Sequence, residues 1–397
     1  MDDYELWDSR PTANIACSQL FRLMPIGFAT PDVESLANYV LRLAVEHGLF
    51  VSMLATGMIL PLLKQTSTYS NLPGKYELAA SWWRNCSSAL NGLVASTEDW
   101  VQAVQYLTLR TDLLYLTMLP WESVLPYAGL LRRMLAWCPE CFEEARLRGE
   151  NAYSRLIWSL ETIRVCVHHK RRLQVHCPYP ECGKEQTILA PHAYPGFCHY
   201  CCHWLGNSAM YSTETSLSEE DWAREQSIVV AVGELLAIAP TLEHLPNREV
   251  ISKAIAQYVE QSMNGNLSEF GRQLGVSKRT ALELRRGTQL PQLPTLLNIC
   301  ALMNTTPLAL LTQNTVQALK TVKLQIVALN YEKRPPRPFD ETYLRSVLEA
   351  ILRDSSYPPP SMKEVAKRLD FDASLLHGHF PELCSEISAR FLQYEVK

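Results

Sequence analysis

The sequence has no apolar run of the length that a membrane-spanning helix requires, and no basic-then-apolar leader at its start. Its first residues, MDDYELWDSRP, are acidic and aromatic, the reverse of a targeting segment. Catalytic signatures are missing as well: we find no HExxH or HxE zinc-enzyme pattern, no Walker A loop and no recognisable nucleophile motif. These absences predict a cytoplasmic protein that is not an enzyme and does not enter a membrane.

A large excess of either charge is also missing. The chain has 37 Lys and Arg against 41 Asp and Glu, a net charge of −4. This balance argues against indiscriminate binding of nucleic acid, although local basic stretches remain able to bind it. At 397 residues, of which 47% are hydrophobic, the chain is too long for one compact core, and we expect two to four domains.

The cysteines follow metal-ligand spacing. Four ligand pairs lie in order along the chain: Cys138 with Cys141, Cys166 with His169, Cys177 with Cys182, and Cys198 with Cys201. Two ligands separated by two to four intervening residues can be pointed at one Zn²⁺ by a tight turn, and eight ligands fill two closed tetrahedral sites. We therefore predict two structural Zn²⁺ ions in a reducing, cytoplasmic setting. A closed site has no open position for water or substrate, so the metal would hold a shape and do no chemistry.

The grouping of these pairs stays open in the sequence. Sequential grouping joins the first pair to the second and the third to the fourth, whereas interleaved grouping joins the first to the third and the second to the fourth. Neighbouring candidates are disfavoured by the spacing; they are His168, His176, Cys202 and His203. Four other cysteines are interpreted as buried free thiols: Cys17, Cys86, Cys300 and Cys384.

Hydrophobic periodicity predicts a mainly α, multi-domain protein with helical helix-turn-helix domains around a double zinc-binding (zinc-finger or ribbon) module. The predicted segments are a tail at 1–20, a helical domain with a helix-turn-helix-like pair at 21–135, the double zinc-finger module at 136–210, a repressor-type helix-turn-helix domain at 220–330 and a C-terminal helix-turn-helix domain at 338–397. The tail is either disordered or a docking peptide, because it sets Tyr4, Leu6 and Trp7 among acids.

Start and stop signals place the helices of the N-terminal domain. The first helix is predicted to start at Pro31 and Asp32 and to end at Gly48, and a very apolar helix follows it. Two more helices are predicted up to residue 121, the first capped by Ser96 or Thr97 and the second by Thr111.

Residues 267–286 have the layout of a phage-repressor-type DNA-binding motif. The first helix ends at Gly275, which suits a tight turn with positive φ, and Gly271 leaves room for two helices to approach closely. Ser277 is predicted to cap the second helix, and Leu282 to pack inward.

Basic side chains concentrate on this motif: from Arg272 to Arg286 there are five of them against one acid. Base reading is expected near the start of the second helix, whereas phosphate contacts suit its flanks. The predicted DNA-binding residues are Arg272, Ser277, Lys278, Arg279, Thr280, Arg285 and Arg286. The alternative is a helical bundle with a solvated basic face.

Two other segments are weaker candidates for DNA contact. A proline-rich joint offers Lys333, Arg334 and Arg337 to phosphates. Residues 361–392 repeat the two-helix layout, with Ser374, His377 and His379 on the second helix. A structural or partner-binding role for this second motif remains equally open.

Residues spread over 20–205 carry a resemblance to a known family. They are Glu34, Ser35, Leu36, Arg42, Leu43 and Ala44, then Trp137, Cys138, Pro139 and Cys141, then Tyr153 and Trp158, and then the remaining ligand pairs with Pro178 and Gly183. Together they resemble the TniQ/TnsD family, the target-selection proteins of cut-and-paste transposons that carry a AAA+ ATPase called TnsC. The two C-terminal motifs resemble the extension of TnsD-type members, which read a fixed chromosomal attachment sequence.

The resemblance implies the partners: a double-stranded attachment site, the TnsC ATPase and, through it, the transposase, in the cytoplasm of a prokaryote and on the nucleoid when bound. The leading hypothesis is a target-site selector whose zinc module lends a basic face to the DNA backbone; this face comprises Arg155, Arg164, Lys170, Arg171 and Arg172. Two alternatives remain, namely an adaptor linking a CRISPR effector complex to TnsC, and a zinc-containing transcription regulator.

Overall fold

The structure, a computed structural model, describes residues 17–63, 82–83, 86–211, 217–312, 341–353, 359–369 and 373–395. It is mainly helical, as predicted. Contacts divide the chain into two compact units, 1–330 and 331–397. The finer division of the first unit into tail, helical, zinc and repressor-type domains remains a prediction. Several residues singled out in the sequence lie outside the described residues: Tyr4, Leu6, Trp7, Lys333, Arg334 and Arg337.

The described helices of the first unit are α1 Leu36–Glu46, α2 Val51–Leu54, α3 Leu60–Leu63, α4 Ala95–Thr108, α5 Pro139–Leu147, α6 Glu219–Ile238, α7 Glu249–Met263, α8 Leu267–Leu274, α9 Lys278–Arg286, α10 Leu293–Leu302 and α11 Pro307–Thr312. A π-helical turn, Ala55–Ile59, joins α2 to α3. Short 3₁₀ turns lie at Ser87–Asn91, Leu113–Leu116, Leu119–Trp121, Leu156–Ser159, Ser208–Met210 and Ala239–Thr241. Strands β1 (Val165–Cys166) and β2 (Arg171–Arg172) form an antiparallel hairpin.

Helix α1 begins later than predicted. Its N-cap is Ser35, whose side chain accepts a hydrogen bond from the Asn38 amide. The prediction of a start at Pro31 and Asp32 was wrong, because the residues before Ser35 pair with another segment. Glu34 forms a β-bridge with Arg155, and the Leu156 amide donates to Val33 O at 2.8 Å. The end at Gly48, with φ +66°, agrees with the prediction.

A buried ion pair lies at the start of α1. The Glu34 side chain is 0% exposed and faces Arg42. Its Oε1 accepts from the Ile26 amide at 2.8 Å and from Arg42 Nη2, and its Oε2 accepts from Asn38 Nδ2 at 2.9 Å and from Arg42 Nε at 3.3 Å. Arg42 Nη2 also donates to Met24 O at 2.7 Å. Both oxygens of the carboxylate are therefore fully paired, which is what a charge without access to water requires.

The helix predicted after α4 is absent from the described residues 109–121. Helix α4 stops at Leu109, which adopts a left-handed conformation with φ +53°. Only two 3₁₀ turns follow, and Pro120 in the second of them has no N–H for an α-helical bond. The predicted cap at Ser96 or Thr97 is shifted as well, since the N-cap position is Val94.

The long helix α6 connects the zinc-ligand segment to the helices that follow. It packs against β1, against the turn Leu156–Ser159 and against α11. Close approach is made possible by Gly233: a Cβ there would stand 2.8 Å from Pro31 Cβ and 3.8 Å from Ile157 Cδ1. The absence of a side chain at this position thus sets the distance between α6 and the N-terminal segment.

We expect Gly233→Ala to destabilise the protein by about 1–3 kcal/mol, because the overpacking against Pro31 exceeds the gain of about 1 kcal/mol in helix propensity. Equilibrium unfolding in urea measures the difference. The control is Gly57→Ala, since an added Cβ at that helical position meets no atom within 4 Å. An unchanged or raised stability of Gly233→Ala would contradict the close packing of α6.

Helices α7 to α11 form a bundle in which α8 and α9 each pack on α7. The described helices of the second unit are α12 Glu341–Arg353, α13 Met362–Leu369, α14 Ala373–His379 and α15 Pro381–Glu395. They surround a small separate core that includes Leu348, Val365 and Leu376. Among the described residues no single helix is long and apolar enough to cross a membrane; α1 and Val51–Leu63 pass that test only as a pair, bent by 99°.

Candidate metal centres and nucleic-acid interface

The first cluster of potential metal ligands consists of Cys138, Cys141, Cys166 and His169, whose ligand atoms all lie within 4.8 Å of one another. Cys138 is the N-cap of α5 and Cys141 lies in its first turn, while Cys166 lies in β1 and His169 in the turn of the hairpin. The Sγ atoms of Cys141 and Cys166 are 3.6 Å apart, and His169 Nδ1 lies 3.3–3.7 Å from the three sulfurs.

The second cluster consists of Cys177, Cys182, Cys198 and Cys201. The Sγ atoms are 3.6 Å apart between Cys177 and Cys201 and 3.7 Å apart between Cys182 and Cys198. The wider spacing of the first two cysteines is taken up by a turn, in which the Cys182 amide donates to Tyr179 O at 2.9 Å.

These separations fit a tetrahedral zinc ion. With Zn–S bonds of about 2.3 Å and Zn–N bonds of about 2.1 Å, tetrahedral ligands stand about 3.8 Å apart between sulfurs and about 3.6 Å apart between sulfur and nitrogen. The donor sets, three thiols with one imidazole and four thiols, are those of structural zinc sites. Each cluster therefore has the composition and spacing to hold one Zn²⁺, and each supplies four protein ligands.

The clusters correspond to sequential grouping of the ligand pairs. The neighbouring candidates have other surroundings: His168 bonds to Asp32, His176 faces Glu185, His203 stacks on Tyr179, and Cys202 is exposed. Of the four cysteines interpreted as buried thiols, Cys300 and Cys384 are buried. The prediction was wrong for Cys17 and Cys86, which are exposed.

Glu144 supports the first cluster, and sequence reasoning missed it. With Nδ1 directed at the sulfurs, His169 uses Nε2 to reach Glu144 Oε1 at 2.9 Å. This hydrogen bond lowers the pKa of the Glu144 carboxyl. A carboxylate behind a ligating imidazole fixes the ring orientation and the tautomer. The available signal was spacing, because Glu144 follows Cys141 by three residues and so shares its face of α5.

We expect Glu144→Ala to lower the affinity of the first cluster for Zn²⁺ by about 10- to 100-fold, the usual cost of losing such a support. Competition against a chromophoric chelator, monitored per equivalent of zinc, measures the effect. Glu150→Ala is the control, because Glu150 is exposed and pairs with Arg148 instead. Equal affinities in both variants would show that Glu144 does not support the ligand.

The helix pair α8–α9 follows the predicted local plan. Gly275 has φ +69°, and the Ser277 hydroxyl accepts from the Thr280 amide at 3.1 Å. A Cβ on Gly271 would stand 3.3 Å from Ala281 Cβ, so the glycine does allow the helices to approach. The inward position of Leu282 was wrong: it is half-buried. The residues of α9 that pack inward are Ala281 and Leu284.

The predicted DNA-binding side chains of this pair lie mainly on its surface. Exposed are Arg272, Ser277, Lys278, Arg279 and Arg286, and half-buried are Thr280 and Arg285. Two of them already have acidic partners, since Arg272 pairs with Glu269 and Arg279 with Glu283. Such exposed pairs contribute little to folding stability, which leaves both arginines available for a role in DNA binding.

In the second unit Ser374 lies within α14, and His377 and His379 are exposed at the end of that helix. The structure thus places both histidines on the surface of the second predicted motif. Their role in DNA contact remains a prediction.

The expected basic face of the zinc module needs a correction at Arg155. Its guanidinium is largely buried, lies 3.2 Å from Asp32 and packs over the Trp158 ring at 4.8 Å. Burial lowers the pKa of Arg155, but the nearby Cys141 and Asp32 more than offset this and raise it above its ordinary value. Arg155 is therefore a structural residue beside the first cluster.

Arg171 is also largely covered and pairs with Glu140. The exposed basic residues of the five are Arg164, Lys170 and Arg172. Of the five residues predicted to form the basic face, these three remain available to a phosphate backbone.

No curated protein matches the chain. The TniQ family model matches residues 25–173. The matched segment includes the Glu34–Arg42 ion pair and the whole first cluster, and it ends just before the second. TniQ domains occur in proteins of transposition systems. Residues 25–173 therefore form a TniQ domain, the domain of transposition-associated proteins that the sequence resemblance predicted.

Proposed function

We propose that the protein is a non-enzymatic target-site selector of a transposon, which binds a specific duplex sequence and recruits a AAA+ ATPase of the TnsC type. The observation that carries the proposal is the α8–α9 pair. A capped helix exposes Lys278 and Arg279 at its N-terminal end, above a closely packed partner helix. This is the arrangement by which a recognition helix enters the major groove.

The contacts divide into two kinds in this proposal. Lys278, Arg279 and Thr280, near the start of α9, would meet base edges, and Ser277 would set the start of the helix. Arg272, Arg285 and Arg286 would bind phosphates and set the register. The joint at 333–337 and the α13–α14 motif with Ser374, His377 and His379 would add contacts along the same duplex.

The metal centres would act as scaffold. Zn²⁺ at the first cluster would tie α5 to the β1–β2 hairpin, and Zn²⁺ at the second would hold the loops of residues 177–201 together. Helix α6 packs against that hairpin and leads to the α7–α11 bundle. The TniQ domain and the residues before it would contact the ATPase, and the transposase would join through the ATPase. Selection and recruitment would then depend on a fixed geometry between the two ends.

The experiment is footprinting of the purified full-length protein on fragments of the host chromosome, with and without the ATPase. A discrete protected site formed by the protein alone is the expected result. Protection that requires an RNA-guided effector complex would instead favour the adaptor. A site that forms and recruits no ATPase would favour a transcription regulator. Absence of any DNA binding would overturn the selector proposal.

We expect Lys278→Ala or Arg279→Ala to weaken binding to the protected site by about 10- to 100-fold and to relax specificity at one base pair, since a good base contact discriminates by about that amount. Lys253→Ala is the control, because Lys253 is an exposed cation on α7 that pairs with Glu249. Gel-shift titrations on the site and on random duplex give both quantities. Equal losses on both duplexes would mean that Lys278 and Arg279 contact only phosphates.

A further inference from the structure

We infer that Glu283 is a specificity-positioning residue of the α9 interface: its carboxylate holds the Arg279 guanidinium for base contact and withholds it from phosphates. The inference rests on the proposed function, because it concerns how α9 reads a duplex. Its partner is a guanine base edge in the major groove, the group that an arginine fork recognises best.

Glu283 is the single acidic residue of a basic stretch. Between Arg272 and Arg286 it is one acid among five basic residues. A carboxylate beside DNA phosphates is repelled whatever the base sequence, so it lowers affinity for all duplexes alike. A residue with that cost is useful on a DNA-binding face when it improves discrimination, since specificity is a difference between affinities.

The position of Glu283 beside Arg279 allows it to improve discrimination between base sequences. Arg279 is 88% exposed, and Glu283, one helical turn further on, is 34% exposed. Arg279 Nε donates to Glu283 Oε1 at 2.9 Å. The bond uses one of the five guanidinium N–H donors and leaves the four on the two Nη nitrogens outside this pair. Two such donors are what guanine O6 and N7 accept from a single arginine.

The carboxylate is carried by a well-fixed part of the helix. The main-chain oxygen of Glu283 accepts from the Thr288 amide at 3.0 Å and from the Thr288 hydroxyl at 3.2 Å. The next residue, Leu284, is buried in the bundle. An unpaired arginine on a helix surface samples many rotamers and turns easily toward a phosphate. Pairing with an anchored acid narrows that range before the duplex arrives.

The chain contains a matched pair for comparison. On α8, Arg272 Nε donates to Glu269 Oε2 at 2.8 Å, and Arg272 is 73% exposed. Arg272 Nη2 also donates to Glu269 Oε1 at 2.5 Å, so this pair has one more hydrogen bond than the pair on α9. The charges are the same, but α8 is the helix that crosses the backbone in this arrangement and does not enter the groove. Removal of the Glu269 charge should therefore change affinity without changing discrimination.

The test uses full-length protein and four variants: Glu283→Gln, Glu269→Gln, Arg279→Ala, and Arg279→Ala combined with Glu283→Gln. Dissociation constants are measured on the footprinted site, on its single-base-pair substitutions and on random duplex at one salt concentration. Circular dichroism checks that each variant folds, since Glu269 and Glu283 are half-buried and Arg279 is exposed.

For Glu283→Gln we expect tighter binding to random duplex and a loss of about fivefold or more in discrimination at the base pair that Arg279→Ala also affects. Glu269→Gln should tighten binding to all duplexes by the same factor. In the Arg279→Ala background, Glu283→Gln should cause no further loss of discrimination.

Two outcomes would overturn the inference and leave the proposed function intact. If Glu283→Gln tightens binding to all duplexes equally, the Glu283 carboxylate only repels DNA. If it still loses discrimination without Arg279, the carboxylate reads a base itself, as an acceptor for cytosine. A wild-type protein that shows no sequence preference would contradict the proposed function, and the inference would fall with it.

Discussion

Replacing Cys201 by serine is expected to remove one of two zinc ions per chain and to unfold the loops of residues 177–201. Cys201 lies with three other cysteine sulfurs at zinc-binding distances. Binding of a structural zinc ion contributes on the order of 10 kcal/mol to small zinc domains, far more than any side-chain contact in this segment. Elemental analysis of the purified variant should give one zinc, and proteolysis should cut within the loops.

Cys202→Ser is the matched control, one residue away. Cys202 is exposed and lies outside both clusters, so this variant should keep two ions and resist proteolysis. Cys141→Ser should in turn lose the ion of the first cluster only, because the two clusters share no ligand. If Cys202→Ser lost zinc and Cys201→Ser kept it, the ligand would be Cys202 and not Cys201. A wild-type protein without zinc would exclude the metal centres altogether.

Arg42→Met is expected to lower the free energy of unfolding by about 3–5 kcal/mol, the usual result of leaving a buried charge without its partner. Glu34 has no contact with solvent, and two of its four donors come from Arg42. Met has a similar length but carries no charge that could neutralise the Glu34 carboxylate. Urea or guanidinium unfolding followed by circular dichroism measures the change.

The double variant Arg42→Met with Glu34→Gln separates charge from packing. Because glutamine is neutral, the double variant should be no less stable than Arg42→Met alone. The double-mutant cycle should therefore show strong coupling between Arg42 and Glu34. Lys253→Met is the control, because it removes one partner of an exposed pair with Glu249. Its free energy of unfolding should equal that of the wild type within experimental error. If Arg42→Met behaved like Lys253→Met, the ion pair would have no structural importance.

Local features could be predicted because they involve neighbours along the chain. The two metal clusters consist of the eight residues whose spacing indicated them, since a turn or a helix start brings ligands three to five positions apart together. Gly275 and Ser277 form the turn and cap expected between α8 and α9 for the same reason. The helical pattern before Gly48 was also identified.

Predictions failed where distant segments compete with a local preference. Pro31 and Asp32 suit a helix start, but pairing of the residues next to them with Ser154 and Leu156 keeps the chain extended up to Ser35. Arg155 looked like a surface cation, yet Asp32 and Trp158 enclose it. No pattern around residue 155 shows that residue 32 lies beside it.

The sequence by itself therefore determined the ligand pairs, the helical class and the capped basic helix, because turns, caps and periodicity depend on residues within a few positions. Only the tertiary structure decided which ligand pairs share a cluster, which acid supports His169, and which arginines stay exposed. Those outcomes depend on contacts between segments from 16 to more than 100 residues apart, where packing of the whole unit selects one arrangement from several that local chemistry allows.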